Sequence, residues 1–182
     1  LNIIGQSIGT IGIIIQHFQN LQKLTFSCDS DSVKVVNFPL DGVRNENLTE
    51  LHLIDNNPAK DQFQSTLALM KLITQSLPSL EKLKIVNILS LNIQMVAELL
   101  EYCKKLTHIY IDDISINFHL NQQVLEILRA YGKRLEFLRL SKIFMQVNEQ
   151  QVLKLLASQF AFISCKEWRN DLVLRNCSWD VE

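Results

Sequence analysis

The four histidines of this sequence, His17, His52, His108 and His119, are the residues best suited to acid–base catalysis. An imidazole changes its charge near neutral pH, so it can act as a general base or as a metal ligand. No serine or cysteine nucleophile motif accompanies the histidines, and a chain with only five glycines has no glycine-rich phosphate loop. His52 and His108 fall on separate predicted strands, where they can share a face without touching. We therefore expect no enzyme, no catalytic residue and no cofactor.

The four cysteines are the other candidates for chemistry. Cys28, Cys103, Cys165 and Cys177 lack the C-x-x-C spacing of zinc sites and suggest no disulfide framework. Cys103 and Cys177 instead fall within the apolar pattern described below, where a cysteine serves as a small core residue. Reduced, buried cysteines are typical of the cytoplasm and nucleus. We expect no metal site and a cytoplasmic or nuclear location.

One structural unit recurs along the chain and is clearest between Val96 and Asp112. Its first half has one apolar face at 3.6 residues per turn, which predicts a helix. That face consists of Val96, Leu99, Leu100 and Cys103. Its second half has the pattern L-x-x-L-x-L of a short strand and its approach. That pattern consists of Leu106, Ile109 and Ile111. The unit is therefore a helix, a tight link and a strand.

Copies of this unit are found before and after it. The middle anchors of the strands are Leu24, Leu51, Leu83, Ile109, Leu138 and Leu172, at steps of 27, 32, 26, 29 and 34 residues. Steps of this length leave room for a helix behind each strand. In the second copy Pro39 and Gly42 fall where a helix would run, so we expect a loop there.

Helix starts are predicted from capping residues. Asn92, Asn121 and Asn148 stand ahead of apolar helical patterns, and the asparagine side chain accepts a hydrogen bond from an early helical N–H. Asn57-Pro58 offers a further start with proline at the first helical position. In the fourth helix, Gly132 suits a helix stop.

These observations predict an α/β fold in a single domain over residues 1–182, with about six repeats. A unit of this kind cannot bury its apolar face alone, so it stacks on copies of itself in a solenoid. Parallel strands lie about 4.8 Å apart and packed helices 8–10 Å apart, so we expect a horseshoe with strands on the concave face and helices on the convex face. An ordinary helix bundle would leave the repeated strand pattern unexplained.

The motif Cys103-x-x-Leu106-x-x-Ile109-x-Ile111 resembles the cysteine-containing leucine-rich repeats of F-box proteins. Phe18, Leu77 and Gly132 occupy the position of Cys103 in other copies. In that family an F-box docks on the adaptor of a cullin ubiquitin ligase while the repeats hold the substrate. The resemblance implies substrate-recognition repeats, with the chain a fragment of a longer protein that carries the F-box. The alternative is a non-catalytic scaffold or regulatory repeat protein with no link to ubiquitin.

Charge and hydropathy bear on the kind of partner. The formal net charge of −1 provides no field to attract nucleic acid. The apolar run Ile11 to Ile15 is far shorter than the roughly 20 residues that a membrane-spanning helix needs. We therefore expect a protein partner, and neither nucleic acid nor membrane.

The expected binding face follows from the alternation of side chains along a strand. Residues between and beside the anchors point away from the core. One outward row holds Thr25, His52, Lys84, Tyr110, Arg139 and Val173; the second holds Lys23, Glu50, Lys82, His108, Phe137 and Asp171, with Asp112 and Ser141 beyond them. The predicted protein-binding site consists of Lys82, Lys84, His108, Tyr110, Asp112, Phe137 and Arg139. Tyrosine and arginine are enriched in interfaces, although aromatic residues also favour strands that bind nothing.

Overall fold

The computed structural model describes residues 1–4, 10–28, 42–56, 63–88, 91–112, 119–120, 122–140, 144–145, 150, 154, 162–166 and 171–175. They form an α/β fold in which six consecutive parallel strands of one sheet alternate with helices. The α/β class and the parallel pairing are as predicted.

The strands are β1 (Asn2–Ile4), β2 (Lys23–Cys28), β3 (Glu50–Asp55), β4 (Lys82–Val86), β5 (His108–Asp112), β6 (His119–Leu120), β7 (Phe137–Leu140), β8 (Phe144–Met145), β9 (Phe162–Lys166) and β10 (Asp171–Arg175). The helices are α1 (Thr10–His17), α2 (Phe63–Ser76), α3 (Ile93–Tyr102) and α4 (Gln122–Tyr131), with a 3-10 turn at Gly132–Arg134. The main sheet has the order β1-β2-β3-β4-β5-β7-β10-β9, and β6 pairs with β8 separately.

The predicted anchors lie side by side across the sheet. Register pairs link the middle anchors from β2 to β7, namely Leu24, Leu51, Leu83, Ile109 and Leu138. The strands keep this alignment although the connections between them differ in length. The prediction of equivalent strand positions in the first five repeats is therefore confirmed.

One hydrophobic core lies between the sheet and the helices. It joins the strand anchors to the buried faces of the helices, with Leu106 and Cys103 of the central unit almost completely buried. Along β3 the burial alternates strictly between buried and half-buried residues, because successive side chains point to opposite faces. Only one face of the sheet therefore contributes to this core. No described helix packs on the other face, which we call the open face.

The sixth repeat differs from the prediction. Leu172 was expected on a parallel strand beside Leu138, but β10 pairs antiparallel with β7, so that Leu172 lies opposite Leu140. Strand β9, whose role the pattern did not reveal, pairs antiparallel with β10. Only four residues, 167–170, join these two strands, and a connection this short permits an antiparallel pair but not a parallel crossover.

Strand β9 continues the direction of the six parallel strands. Through Leu174, Ile163 falls in the same row as Leu138. The step from 138 to 163 is 25 residues, close to the other repeat lengths. Thus β9 has the direction expected of a sixth repeat strand, and β10 is a return strand inserted beside it.

The helix boundaries support the capping analysis where they are described. Asn92 is the N-cap of α3, and its Oδ1 accepts a hydrogen bond of 3.0 Å from the Met95 amide. Helix α4 ends just before Gly132, as predicted. The predicted starts at Asn57-Pro58, Asn121 and Asn148 lie outside the described residues.

Residues 42–49 form a loop that leads into β3; Pro39 and the rest of the segment in which a loop was predicted lie outside the described residues. Gly42 has a φ of +83°, a left-handed conformation that glycine adopts readily. Asn45 is fully buried, and its Nδ2 donates to the carbonyls of Ile15 (3.3 Å) and Phe18 (3.0 Å). Its Oδ1 accepts from the Leu48 amide at 3.0 Å. This asparagine therefore provides the hydrogen bonds with which the loop holds the end of α1.

Two features of the first repeat were not predicted correctly. Phe18, assigned to the buried face of the first helix, is 54% exposed, because α1 ends at His17 before reaching it. In addition, β1 pairs in parallel with β2 and places Asn2 beside Thr25. The sequence pattern made no prediction for this strand.

Candidate protein-binding face

The open face carries the two predicted rows of outward residues. The register joins Thr25, His52, Lys84, Tyr110, Arg139 and Val173 in one row, as predicted. The second row runs Lys23, Glu50, Lys82, His108 and Phe137, and the backbone register places position 175 opposite Phe137. The prediction placed Asp171 last, and it is wrong because β10 runs in the opposite direction. Ser141 lies outside the described residues.

Tyr110 lies between two cationic side chains. The Lys84 Nζ is 5.0 Å from the centroid of the tyrosine ring, and the Arg139 Cζ is 5.2 Å from it. Both distances fall within the range of cation–π attraction. The Tyr110 hydroxyl donates a 3.0 Å hydrogen bond to Asp112 Oδ2. These contacts hold the ring and both cations in fixed positions on the open face.

His108 and Phe137 form a second aromatic contact beside this cluster. Their ring centroids are 6.4 Å apart and the ring planes are tilted by 30°. On the other side of the imidazole, His108 Nε2 lies 3.8 Å from Glu136 Oε2, while Nδ1 lies 2.9 Å from the Thr107 hydroxyl. The orientation of the imidazole is therefore set by three neighbours.

Glu50 forms an ion pair with Lys23 and a close contact with His52 on the open face. Its Oε1 lies 2.6 Å from Lys23 Nζ and 2.8 Å from His52 Nε2. Burial raises the pKa of this carboxyl, but the hydrogen bond and charge of Lys23, together with His52 and Lys82, outweigh burial and leave the pKa below its ordinary value. Glu50 is therefore ionised at neutral pH and already has two partners.

Both histidines on the face are neutral at physiological pH. Burial lowers the pKa of His52, and the nearby Lys23 and Lys84 lower it further, although Glu50 opposes the shift. Burial likewise lowers the pKa of His108, with Lys82 adding to the effect against Glu136. Acidification would add positive charge to a face that already carries several cations.

A shallow depression of about 150 Å³ lies at the centre of the face. Five of the seven predicted residues line it: Lys82, Lys84, His108, Tyr110 and Phe137. Asp112 and Arg139 flank it through their contacts with Tyr110. The depression is also lined by Glu50 and His52, which the sequence analysis placed in the outward rows but not in the site. Glu50 is the register partner of Lys82, and His52 is the register partner of Lys84. This pairing could have been used to include both residues in the predicted site.

Other chemistry-bearing residues lie away from this face. Cys103 is a free, buried thiol, and burial raises its pKa to about 11, so it is a core residue as expected. Within the described ranges no group of three or more histidine, cysteine or carboxylate residues could hold a metal ion. None of the described helices is long and apolar enough to cross a bilayer.

A scan of protein-family models and searches of curated proteins and of solved structures find no match to this chain.

Proposed function

We propose that this chain is a non-catalytic protein-interaction module, a leucine-rich-repeat solenoid whose open sheet face is the concave binding surface. The observation that carries the proposal is the cluster of Tyr110 between Lys84 and Arg139 on that face. Aromatic and arginine side chains held in place lose little conformational freedom on binding and are frequent hot spots. They are also placed where a partner can reach them.

The one-sided sheet supports the solenoid interpretation. Parallel sheets in ordinary α/β enzymes are covered by helices on both faces, and their strands are continuously apolar. Here most of the outward positions are polar or charged, as in β4, where Lys82 and Lys84 alternate with buried residues. A sheet of this kind needs only one layer of helices, as a leucine-rich-repeat solenoid has.

Repeated hydrogen bonds at the start of each strand support the same interpretation. The Glu81 carbonyl accepts from the amides of both Thr107 and His108, at 2.9 and 3.0 Å. The same arrangement recurs at three further junctions, where the accepting carbonyls belong to Gln22, Thr49 and Thr107. Four equivalent junctions are a property of stacked copies of one unit.

The size of the depression favours a protein over a small molecule. Small-molecule pockets usually enclose about 300–1,000 Å³, whereas this depression has about 150 Å³ and is open to solvent. It can accept one side chain of a partner that also contacts the surrounding rows.

Within this function, the resemblance of the repeats to those of F-box proteins favours substrate recognition for a cullin ubiquitin ligase, in the cytoplasm or nucleus. The adaptor would bind an F-box elsewhere in the full-length protein, and ubiquitin transfer would belong to other subunits. A scaffold or regulatory repeat protein is the second candidate.

Co-precipitation distinguishes the two candidate functions. The full-length protein should bind the cullin adaptor, and this chain alone should not. A full-length protein that does not bind the adaptor would favour the scaffold.

Capture from a cell extract tests the binding face. The tagged native chain is compared with the triple variant Tyr110→Ala, Phe137→Ala, Arg139→Ala. The control carries three substitutions on the helix side, Glu101→Ala, Tyr102→Ala and Lys104→Ala, all at exposed positions. We expect a protein that the native chain and the control capture equally and the triple variant loses. Equal capture by all three would place binding elsewhere.

A further inference from the structure

Cations outnumber carboxylates at the outward strand positions of the open face. Four of its described outward positions carry permanent cations, Lys23, Lys82, Lys84 and Arg139, whereas two carry carboxylates, Glu50 and Asp112. Glu136 adds a carboxylate from a link, directed at His108. Glu81, a second link carboxylate, also acts on His108, so the excess of positive charge belongs to the outward strand positions around Lys82 and Lys84, in a chain whose net charge is −1.

The ion pairs show which cations remain available. Glu50 pairs with Lys23 and also contacts the neutral imidazole of His52. Neither Lys82 nor Lys84 lies within 4.0 Å of a carboxylate oxygen among the described residues. Lys84 is held over the Tyr110 ring, a contact that leaves its ammonium hydrogens able to donate to a partner.

The positions of the two lysines suit binding to a single extended segment. They are two residues apart on β4, so both point to the open face, about 7 Å apart along the strand. Both line the central depression, together with the rings of His108, Tyr110 and Phe137. A segment lying across the depression would therefore meet two ammonium groups and an aromatic floor together.

We propose, building on the proposed protein-binding function, that this face takes an acidic segment of a partner protein whose carboxylates bind Lys82 and Lys84. A carboxylate brought to this site supplies the ion-pair partner that Lys82 and Lys84 lack among the described residues. An apolar neighbour of that carboxylate in the same segment packs on the aromatic floor of the depression. A basic segment is repelled by the same charges, so the face discriminates between partners by charge.

A phage-displayed library of random linear peptides tests the charge preference. The native chain is immobilised as the bait, and selection is repeated with the variant Lys82→Glu, Lys84→Glu. The control, Lys104→Glu, Lys133→Glu, makes the same change in net charge at exposed link positions. We expect the native chain and the control to enrich peptides rich in aspartate and glutamate. Synthetic copies of those peptides should bind the Lys82→Glu, Lys84→Glu variant at least about tenfold more weakly.

Other outcomes of the same selection separate this inference from the proposed function. Neutral or basic peptides that lose binding in the Tyr110→Ala, Phe137→Ala, Arg139→Ala variant would overturn the acidic preference and leave the binding face in place. Peptides unaffected by either set of substitutions would overturn both. A single-stranded oligothymidine that binds through Lys82 and Lys84, with no acidic peptide enriched, would replace the protein segment by nucleic acid and so contradict the proposal.

Discussion

The ammonium group of Lys84 lies 5.0 Å from the centre of the Tyr110 ring on the neighbouring strand. The two residues are direct register partners, so the contact follows from the alignment of β4 and β5. With Arg139 on the other side, Tyr110 connects three consecutive parallel strands on the open face.

Truncation of this tyrosine should separate binding from folding. We expect Tyr110→Ala to lower the free energy of unfolding by only about 1 kcal/mol, because Tyr110 is half-buried and outside the core and cation–π contacts at exposed sites contribute about 0.5–1 kcal/mol. The affinity for the captured partner should fall by about 2 kcal/mol or more. Urea unfolding and titration calorimetry measure the two quantities. A large loss of stability with unchanged affinity would make Tyr110 a structural residue.

A core substitution tests the assignment of the central repeat. Leu106 is fully buried, so Leu106→Ala leaves a cavity and should lower the free energy of unfolding by about 2–5 kcal/mol. Phe18→Ala removes a larger side chain at an exposed position and should cost less than about 0.5 kcal/mol. Equal effects in urea unfolding would be inconsistent with the described core.

Asn45 should also contribute strongly to the free energy of unfolding, although it is polar. Asn45→Ala leaves the buried Leu48 amide without its acceptor, Asn45 Oδ1, which should cost about 1–3 kcal/mol. Asn47 is exposed and donates from Nδ2 to the Gln19 carbonyl at 2.9 Å, and Asn47→Ala is expected to cost about 1 kcal/mol or less. Thermal and urea unfolding of the two variants compare the positions. A smaller loss at position 45 than at position 47 would contradict the role given to Asn45.

The sequence predicted the parts of the fold that depend on periodicity. Apolar anchors at alternate positions fix which side of each strand is buried, and a one-residue slip would expose the core set. The rows through Lys84 and Lys82 followed from this alternation. The direction of the last strands of the sheet does not follow from this alternation, because an antiparallel strand has the same alternation of apolar and polar residues as a parallel one. The direction of β10, and with it Arg175 in place of Asp171, was therefore not predictable from the pattern.

The roles of single residues also could not be predicted from the periodic pattern. The importance of Asn45 depends on carbonyl groups about 30 positions earlier in the chain, which no local motif indicates. The exposure of Phe18 likewise depends on where α1 ends, since its spacing alone fits the buried face. The contacts of Glu50 with its neighbours Lys23 and His52 could not be predicted either, because they depend on the strand register and on the side-chain positions together.

The histidines of the open face predict the dependence of stability on pH. The pKa values of His52 and His108 are lower in the folded protein than their ordinary value, so the unfolded chain binds these protons more readily. Their contribution to stability is therefore present above about pH 6.5 and is lost as the pH falls through the lowered pKa values. Urea unfolding at about pH 7.5 and about pH 5.5 should show a smaller decrease for the variant His52→Gln, His108→Gln than for the native chain. An undiminished decrease in that variant would contradict this assignment.

Photo-crosslinking tests most directly whether the open face is where the partner binds. Benzoylphenylalanine is placed at His108 on the open face in one protein and at the exposed Tyr102 of α3 in another, and each is irradiated with the captured partner. We predict a covalent adduct from position 108 and none from position 102, with the adduct lost when Lys82 and Lys84 are both changed to glutamate. An adduct from position 102 alone would contradict the account and move the binding site to the helices.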